Sequence, residues 1–447
     1  MPKYYLDFNE QFRSEAARHK PNKDAFRERV HGYAIELVRS VCARDDLCAM
    51  TRTIIGGFHI CIFFDITSAN ERTKKWVLRV PIPGEHGGDL LDEKFRSEVA
   101  TMKYLSANVA IPIPRLVAYG LSNGPHPGGD HFMIMEHAEG DILARDLSQL
   151  SQWSEERIET LYSSLSDILL ELWNHPFQRI GSIALQEDGE PDIVNLTRPL
   201  MLEFNNVELD GVSISSAIPP HRTFGKATEY FSSLADLQMS MLVHQRNNIE
   251  SKEEWDFKFT NRVDFKRAMR NFVDNRWDNG PFVLFLGDLS PQNILVNESG
   301  SVTAILDLEW TSIRPIQAIG PPVWLSGIVC GDVIVRDADR LRRFKSRYEQ
   351  FVKIFERQED RRFQEHRSAF PDMRLSDIMK TGLSSGRYWF SEAAGSFYGF
   401  DGLFHFALSS HILHANDSSH SMMGIVASWI ERMKLSGLRT PEPFHGS

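Results

Sequence analysis

The residues best suited to chemistry gather near position 290. They lie in the run Phe285-Leu286-Gly287-Asp288-Leu289-Ser290-Pro291-Gln292-Asn293-Ile294-Leu295-Val296 and in Thr303-Ala304-Ile305-Leu306-Asp307. Asp288 precedes Asn293 by five positions, on a loop that leads into an apolar strand. The apolar runs on either side of Glu298-Ser299-Gly300 read as a hairpin, which brings Asp307 back beside the loop. An aspartate in a Gly-Asp-x-x-Pro setting is commonly a turn or cap residue, but that role does not account for Asn293 and the hairpin to Asp307. Magnesium takes oxygen ligands in near-octahedral geometry, using one or two protein groups together with phosphates and water. Asn293 and Asp307 are such a pair, which leaves Asp288 to meet a substrate hydroxyl.

These side chains need elements to hold them. From Thr53 onward, β-branched and aromatic residues flank Gly56-Gly57, reading as strand, tight turn and strand. A further strand, Trp76 to Val80, stops at Pro81, which cannot donate to a ladder. Phe95, Val99, Met102 and Leu105 recur at helical spacing, with Glu98 beside their apolar face. Phe132 to Glu136 returns to strand, and Gly140 loosens the exit. Residues 51–140 therefore read as a small sheet lobe with one helix. Residues 1–50 read as a partly helical extension, with Tyr33, Leu37 and Val41 on one face. Residues 141–447 read as a larger helical lobe. In it, Ser154 caps a helix bearing Ile158, Leu161, Leu165, Ile168 and Leu172. Other helices follow around Tyr230–Met241 and Phe265–Phe272. The stretch 181–220 is irregular and polar, with turn signals at Asp188-Gly189 and Asp210-Gly211, and such an insertion often carries specificity.

Composition narrows the class. The chain has 447 residues, 42% hydrophobic and 25% charged, with a formal net charge of −10; it has the capacity for two lobes and no signature of disorder. The acidic balance argues against a general affinity for nucleic acid or anionic membrane. Cys42, Cys48, Cys61 and Cys330 are too irregularly spaced for a disulfide framework or paired zinc ligands, which suggests reduced thiols and a cytoplasmic setting. No secretory leader is legible at the start. The most apolar later stretch, Pro321 to Val335, is broken by Gly327, Gly331 and Asp332, so no membrane span is expected. Nothing in the sequence sets an oligomeric state.

The Asp–Asn spacing matches the catalytic loop of kinases. The whole segment resembles the aminoglycoside phosphotransferase and choline-kinase-like families, over roughly residues 50–415. Their Gly-Asp-Leu-x-Pro-x-Asn-Ile-Leu-Val segment is similar to 287–296, and their Ile-x-Asp-x-Glu segment to 305–309. The Pro321-Pro322-x-Trp324-Leu325 that follows is similar to large fungal members. The resemblance implies an α+β, bilobal protein-kinase-like fold with ATP between the lobes and magnesium on its phosphates. It implies a nucleotide loop at Gly56 and Gly57, where the missing side chains let backbone approach phosphate, although an ordinary hairpin turn would look the same. It also implies an Arg79–Glu98 pair and adenine contacts from the hinge at Met135, Glu136 and His137. An unpaired surface arginine and glutamate, and a plain strand and linker, are the alternatives at those positions.

The chain departs from the family pattern at three places. Leu286 stands where relatives have His, Ser290 where they have a cationic or imidazole side chain, and Arg79 where most have Lys. Arginine keeps the charge but offers a planar fork instead of a point ammonium. Only a short path separates Asp307 from Pro321, with no Ala-Pro-Glu, which leaves little room for a peptide-docking segment. The expected function is therefore ATP- and magnesium-dependent transfer to a hydroxyl of a small molecule. The rivals are a weak or inactive kinase-like accessory protein, conceivably of a secondary-metabolite pathway, and a biosynthetic enzyme that does not use ATP. The aromatic group from Trp389 to Phe406 reads as helix core more readily than as a pocket wall, and Arg336–Arg367 reads as a solvated helix resting on the lobe.

Overall fold

Side chains alternate in the strand His59–Thr67 (β2), where Ile60, Ile62, Phe64 and Ile66 are buried, the period-two pattern of a sheet covered on that face. In this computed structural model β2 lies between Leu47–Ile55 (β1) and Thr73–Pro81 (β3). The structure describes residues 22–413 except 69, 71, 86–89, 123, 145–146, 245–248, 250 and 329. The outer parts of the expected N-terminal extension and of the helical lobe, residues 1–21 and 414–447, lie outside the described residues.

The five-stranded antiparallel sheet has the order β1-β2-β3-β5-β4, completed by Leu116–Gly120 (β4) and Phe132–Glu136 (β5). Register pairs Cys61 with Arg79 and Arg79 with Met133. Phe132 and Ile134 join the core made with helix Lys23–Arg39 (α1), through Phe26, Val30, Ala34 and Leu37. Met133, between them, joins the larger core that includes helix Leu90–Asn108 (α2). The sheet thus has a helix on each side. Asn22 caps α1 by accepting from the backbone of Asp24 and Ala25; of the expected face, Leu37 is buried and Val41 lies just past the helix end.

Beyond the short strand Asp141–Ile142 (β6), helix Glu155–Trp173 (α3) starts at the expected cap, Ser154, and buries Ile158, Leu161, Leu165, Ile168 and Leu172. The 181–220 stretch is more regular than its sequence suggested. It holds the hairpin Ser182–Leu185 (β7) and Pro191–Thr197 (β8), then helix Leu202–Leu209 (α4). The turns at Gly189 and Gly211 fall where expected, both with positive φ. The strand β8 was hard to read because Ile193 and Val194 are exposed and Asp192 accepts from the backbone of Val194 and Asn195, interrupting the alternation. Helices Ala227–His244 (α5) and Lys252–Phe272 (α6) follow.

Strand Phe282–Phe285 (β9) leads into the loop of Asp288. Ile294–Val296 (β10) and Val302–Ile305 (β11) form the anticipated hairpin, and β6 pairs with β10 on its other edge. Ser312–Pro315 (β12) pairs with β9. Helices Gly331–Val335 (α7), Ala338–Gln364 (α8), Leu375–Gly382 (α9) and Arg387–Gly395 (α10) follow, with short helices at Phe400–Leu403 and Ser409–Leu413 after them. The aromatic group is core: Phe390 stacks on Phe265 with centroids 4.7 Å apart, and only Tyr398 and Phe406 of that group are exposed large hydrophobics. The architecture is α+β, with an antiparallel sheet in the first lobe and helices in the second. Among the described residues, no helix is long and apolar enough to cross a membrane.

Candidate active site

The loop after β9 runs so close to Trp310 that position 287 has room only for glycine. A Cβ there would stand 2.1 Å from the carbonyl oxygen of Trp310, closer than two atoms can sit. The next residue, Asp288, accepts a hydrogen bond from Asn293 Nδ2 at 2.9 Å, and the same nitrogen donates to the Asp288 carbonyl at 3.1 Å. Burial raises the Asp288 carboxyl above its ordinary range, and the charge of Asp307 adds to that. Hydrogen bonds from Ser290 and Asn293 hold it back. Because the Asn293 amide nitrogen is spent on Asp288, its oxygen is left as an acceptor.

The hairpin fixes the second carboxylate. Ile294 is paired with Ile305, and Leu306 N donates to Asn293 O at 2.7 Å. Asp307 follows with φ +57°, a left-handed conformation that costs a non-glycine residue roughly 1–2 kcal/mol. Its Oδ1 accepts from Arg79 Nη2 at 2.7 Å.

Arg79 is the hub of a buried ionic network joining the lobes. Its Nη1 donates to Glu98 Oε1, and its Nη2 lies 3.5 Å from Glu309 Oε2. Burial disfavours the guanidinium charge, but Asp307, Glu98 and Glu309 outweigh burial and keep the group cationic. Glu98 also accepts from Leu308 N at 3.3 Å. Glu309, 2% exposed, accepts from Lys94 Nζ at 2.5 Å. His59 places Nε2 3.4 Å from Glu309 and Nδ1 3.2 Å from Arg79. Burial pushes the Glu309 carboxyl up to about 7 and lowers Lys94, while the attraction between the two works against burial on both sides. Loss of either partner from such a pair typically costs about 3–5 kcal/mol.

The structure therefore brings Asp288, Asn293, Asp307, Arg79 and Glu98 into one connected cluster. Gly56 and Gly57 form the β1–β2 turn, where Gly56 N donates to His59 O at 2.8 Å. A Cβ on Gly57 would meet nothing within 4 Å, so this backbone borders open space. Lys23 Nζ donates to Gly57 O at 3.1 Å and pairs with Glu85 at 3.1 Å. Met135 and Glu136 end β5, and His137 follows it. Glu136 pairs with Arg115, and His137 N donates to Lys75 O at 2.8 Å.

Three members of the cluster escaped the sequence reading. Glu309 stood within a quoted motif without a role, and His59 lies just past the glycine pair. Lys94 had a usable signal, since it precedes Glu98 by four residues and so shares its helix face. As a donor set, the Asp307 carboxylate and the Asn293 amide oxygen suit a hard cation such as magnesium. His59, Asp307 and Glu309 also offer ligand atoms within 4.8 Å of one another.

Comparison with known proteins follows the same lines. A family model described as the phosphotransferase enzyme family matches residues 63–317. The chain is 23% identical over 285 residues to altered inheritance of mitochondria protein 9, mitochondrial, of Debaryomyces hansenii, covering 54% of this chain and 44% of that one. The same protein of Komagataella phaffii is 24% identical over 285 residues, at 57% and 45% coverage. The chain thus spans about half the length of the curated relatives it matches. Similarity to solved structures includes the streptomycin–ATP ternary complex of APH(2")-IIa, at 13% identity and TM-score 0.40 over 85% of this chain and 95% of that one. It also includes the GDP complex of aminoglycoside 2'-phosphotransferase-IIIa, at 15% identity and TM-score 0.41 over 82% and 99%. The cytoplasmic setting expected from the cysteines is corrected by the curated relatives, which are named as mitochondrial proteins; scattered thiols are equally at home in any reducing compartment. With more than half of its length matched by the family model, the chain belongs to the phosphotransferase enzyme family.

Proposed function

We propose that this chain is an ATP-dependent small-molecule kinase, with residues 51–140 carrying the nucleotide and residues 141–447 the acceptor. The observation that carries this reading is the arrangement of Asp288, held by Asn293, with Asp307 returned beside them by the β10–β11 hairpin. Asp288 accepts the proton of an acceptor hydroxyl while that oxygen bonds the γ-phosphorus and the bond to the departing ADP breaks. Burial and the neighbouring Asp307 charge raise its proton affinity, which favours that role. Asn293 and Asp307 would hold magnesium, which when bound neutralises phosphate charge. Arg79, fixed by Glu98, directs its guanidinium toward the same place, and Ser290 adds no charge of its own. Gly56 and Gly57 give backbone access to phosphates, and Met135, Glu136 and His137 flank the adenine. The relatives' names favour work in mitochondria.

A weak or inactive accessory protein is the second reading, favoured by one observation. Both acids of the Asp307-x-Glu309 pair are already engaged by resident cations, Arg79 and Lys94. Calorimetric titration with ATP, with and without magnesium, followed by a screen of hydroxylated metabolites for ADP formation, separates the two. Magnesium-dependent binding with acceptor-dependent turnover supports the kinase. Nucleotide binding without turnover on any acceptor supports the accessory protein.

A further inference from the structure

A cavity along α8 is basic, although the chain as a whole is acidic, and no residue of the Asp288 loop lines it. It measures 1320 Å³ and lies between the N-terminal half of α3, the turn Leu147–Gln152, the turn Val323–Ser326 and one face of α8. That face presents Arg340, Arg343, Arg347, Gln350, Lys353 and Arg357 at three- and four-residue steps. This is the spacing of a single helical stripe. Against these five cations the lining has three acids, Glu155, Glu159 and Glu349, in a chain whose formal net charge is −10.

The internal pairing leaves cations to spare. Glu155 is taken by Arg347 at 3.0 Å and by Gln350 at 3.1 Å, and Glu159 by Arg357 at 2.6 Å. Arg340 lies 3.9 Å from Asp337. Arg343 and Lys353 have no ion pair or hydrogen bond among the described residues, and both are exposed to the cavity's solvent. A concave space of this size with unspent charge of one sign is built to hold a ligand of the other sign.

One wall of the cavity hangs from the loop of Asp288. Trp324, 4% exposed, lines the cavity and donates its indole N–H to Leu289 O at 2.7 Å, one residue past Asp288. A ligand that orders this wall therefore bears on the catalytic loop through a hydrogen bond.

We propose that this cavity binds an anionic small molecule, one carrying phosphate or carboxylate groups, and that its occupancy bears on phosphate transfer at Asp288 through the Trp324–Leu289 hydrogen bond. The second half of that statement rests on the kinase reading; the binding itself does not. Arg343 and Lys353 are the recognition residues that the internal pairing leaves available, and Trp324 couples the cavity to the loop.

The test uses the full chain with its nucleotide site saturated by magnesium and a non-hydrolysable ATP analogue, so that anions cannot report on that site. Glycerol 2-phosphate and tricarballylate are titrated separately by calorimetry, with glycerol as the neutral control. The expected result is saturable binding of at least one anion, none of glycerol, and weakening by about tenfold or more in Arg343→Glu/Lys353→Glu. The stronger probe tells phosphate from carboxylate. Both positions are solvent-exposed, and unchanged circular dichroism checks that the variant is folded. Failure of both anions to saturate the wild type at millimolar concentration overturns the proposal, as does equal binding by the double variant. Absence of phosphate transfer with anion binding intact contradicts the kinase reading and leaves the site standing.

Discussion

Asp307 holds a left-handed backbone, φ +57°, while its carboxylate faces a buried guanidinium. A residue kept in that conformation at a cost of roughly 1–2 kcal/mol is over-determined by its surroundings. We expect Asp307→Ala to weaken magnesium-dependent ATP binding in calorimetry while leaving the weaker metal-free binding nearly unchanged. Unaltered magnesium-dependent affinity in a folded variant would remove Asp307 from the site. A different carboxylate reports on burial alone. Glu203 Oε2 is buried without a hydrogen-bond partner, and burial pushes its carboxyl from 4.5 up to about 7. Below about pH 4.5 it is protonated in both folded and unfolded chains; as pH rises toward 7 the unfolded chain ionises first, so stability drains away across that window. The loss is on the order of 3 kcal/mol at most, and Glu203→Gln should flatten the pH dependence of urea unfolding between those limits. An unchanged slope would mean that the carboxylate is solvated in solution. At this scale the sequence was legible where chemistry forces spacing, as in Asp288, Asn293 and Asp307. It was silent about His59, because its neighbours are brought in by β2–β3 register and interlobe packing, which no local pattern encodes.

Among the elements, α2 carries the most consequences. Lys94 and Glu98, one turn apart, reach Glu309 and Arg79, so the helix is bolted to both the sheet and the segment after β11. The 181–220 stretch clamps it from the other side: Arg198 donates to Glu93, with Nη2 at 2.6 Å, and Lys103 pairs with Glu190 at 2.8 Å. Two acidic residues of that stretch are thereby committed, Glu190 to Lys103 and Asp192 to its own turn. Without Lys94 the buried Glu309 keeps only the longer contacts to Arg79 at 3.5 Å and His59 at 3.4 Å, so Lys94→Met should cost up to about 3–5 kcal/mol in chemical denaturation. Lys94→Met/Glu309→Gln should recover much of that loss, because the uncompensated charge is gone. Additive losses in the double variant would show that the two side chains act independently. The helices and strands flanking the site were legible from apolar periodicity. The hairpin β7–β8 was not, since its exposed Ile193 and Val194 erase the inward–outward contrast on which the reading depends.

For the whole molecule, the network centred on Arg79 ties β2, β3 and α2 of the first lobe to residues 307–309 of the second, and β6 pins the interlobe connection to β10. The lobe architecture could be anticipated because strand-rich and helix-rich stretches are segregated along the chain. The cavity along α8 could not, because the helix reads as a charged solvated surface until α3 and Trp324 are placed opposite it. The central claim is that Asp288 acts on the acceptor hydroxyl and not on the nucleotide. The most direct measurement is acceptor-dependent ADP formation, with ATP affinity measured in parallel, for the wild type and Asp288→Asn. The account predicts nearly equal ATP affinity and a fall in transfer on the order of 10²–10⁴. Equal turnover by the two proteins, or a wild type that binds magnesium–ATP yet turns over with no hydroxyl acceptor, would contradict it.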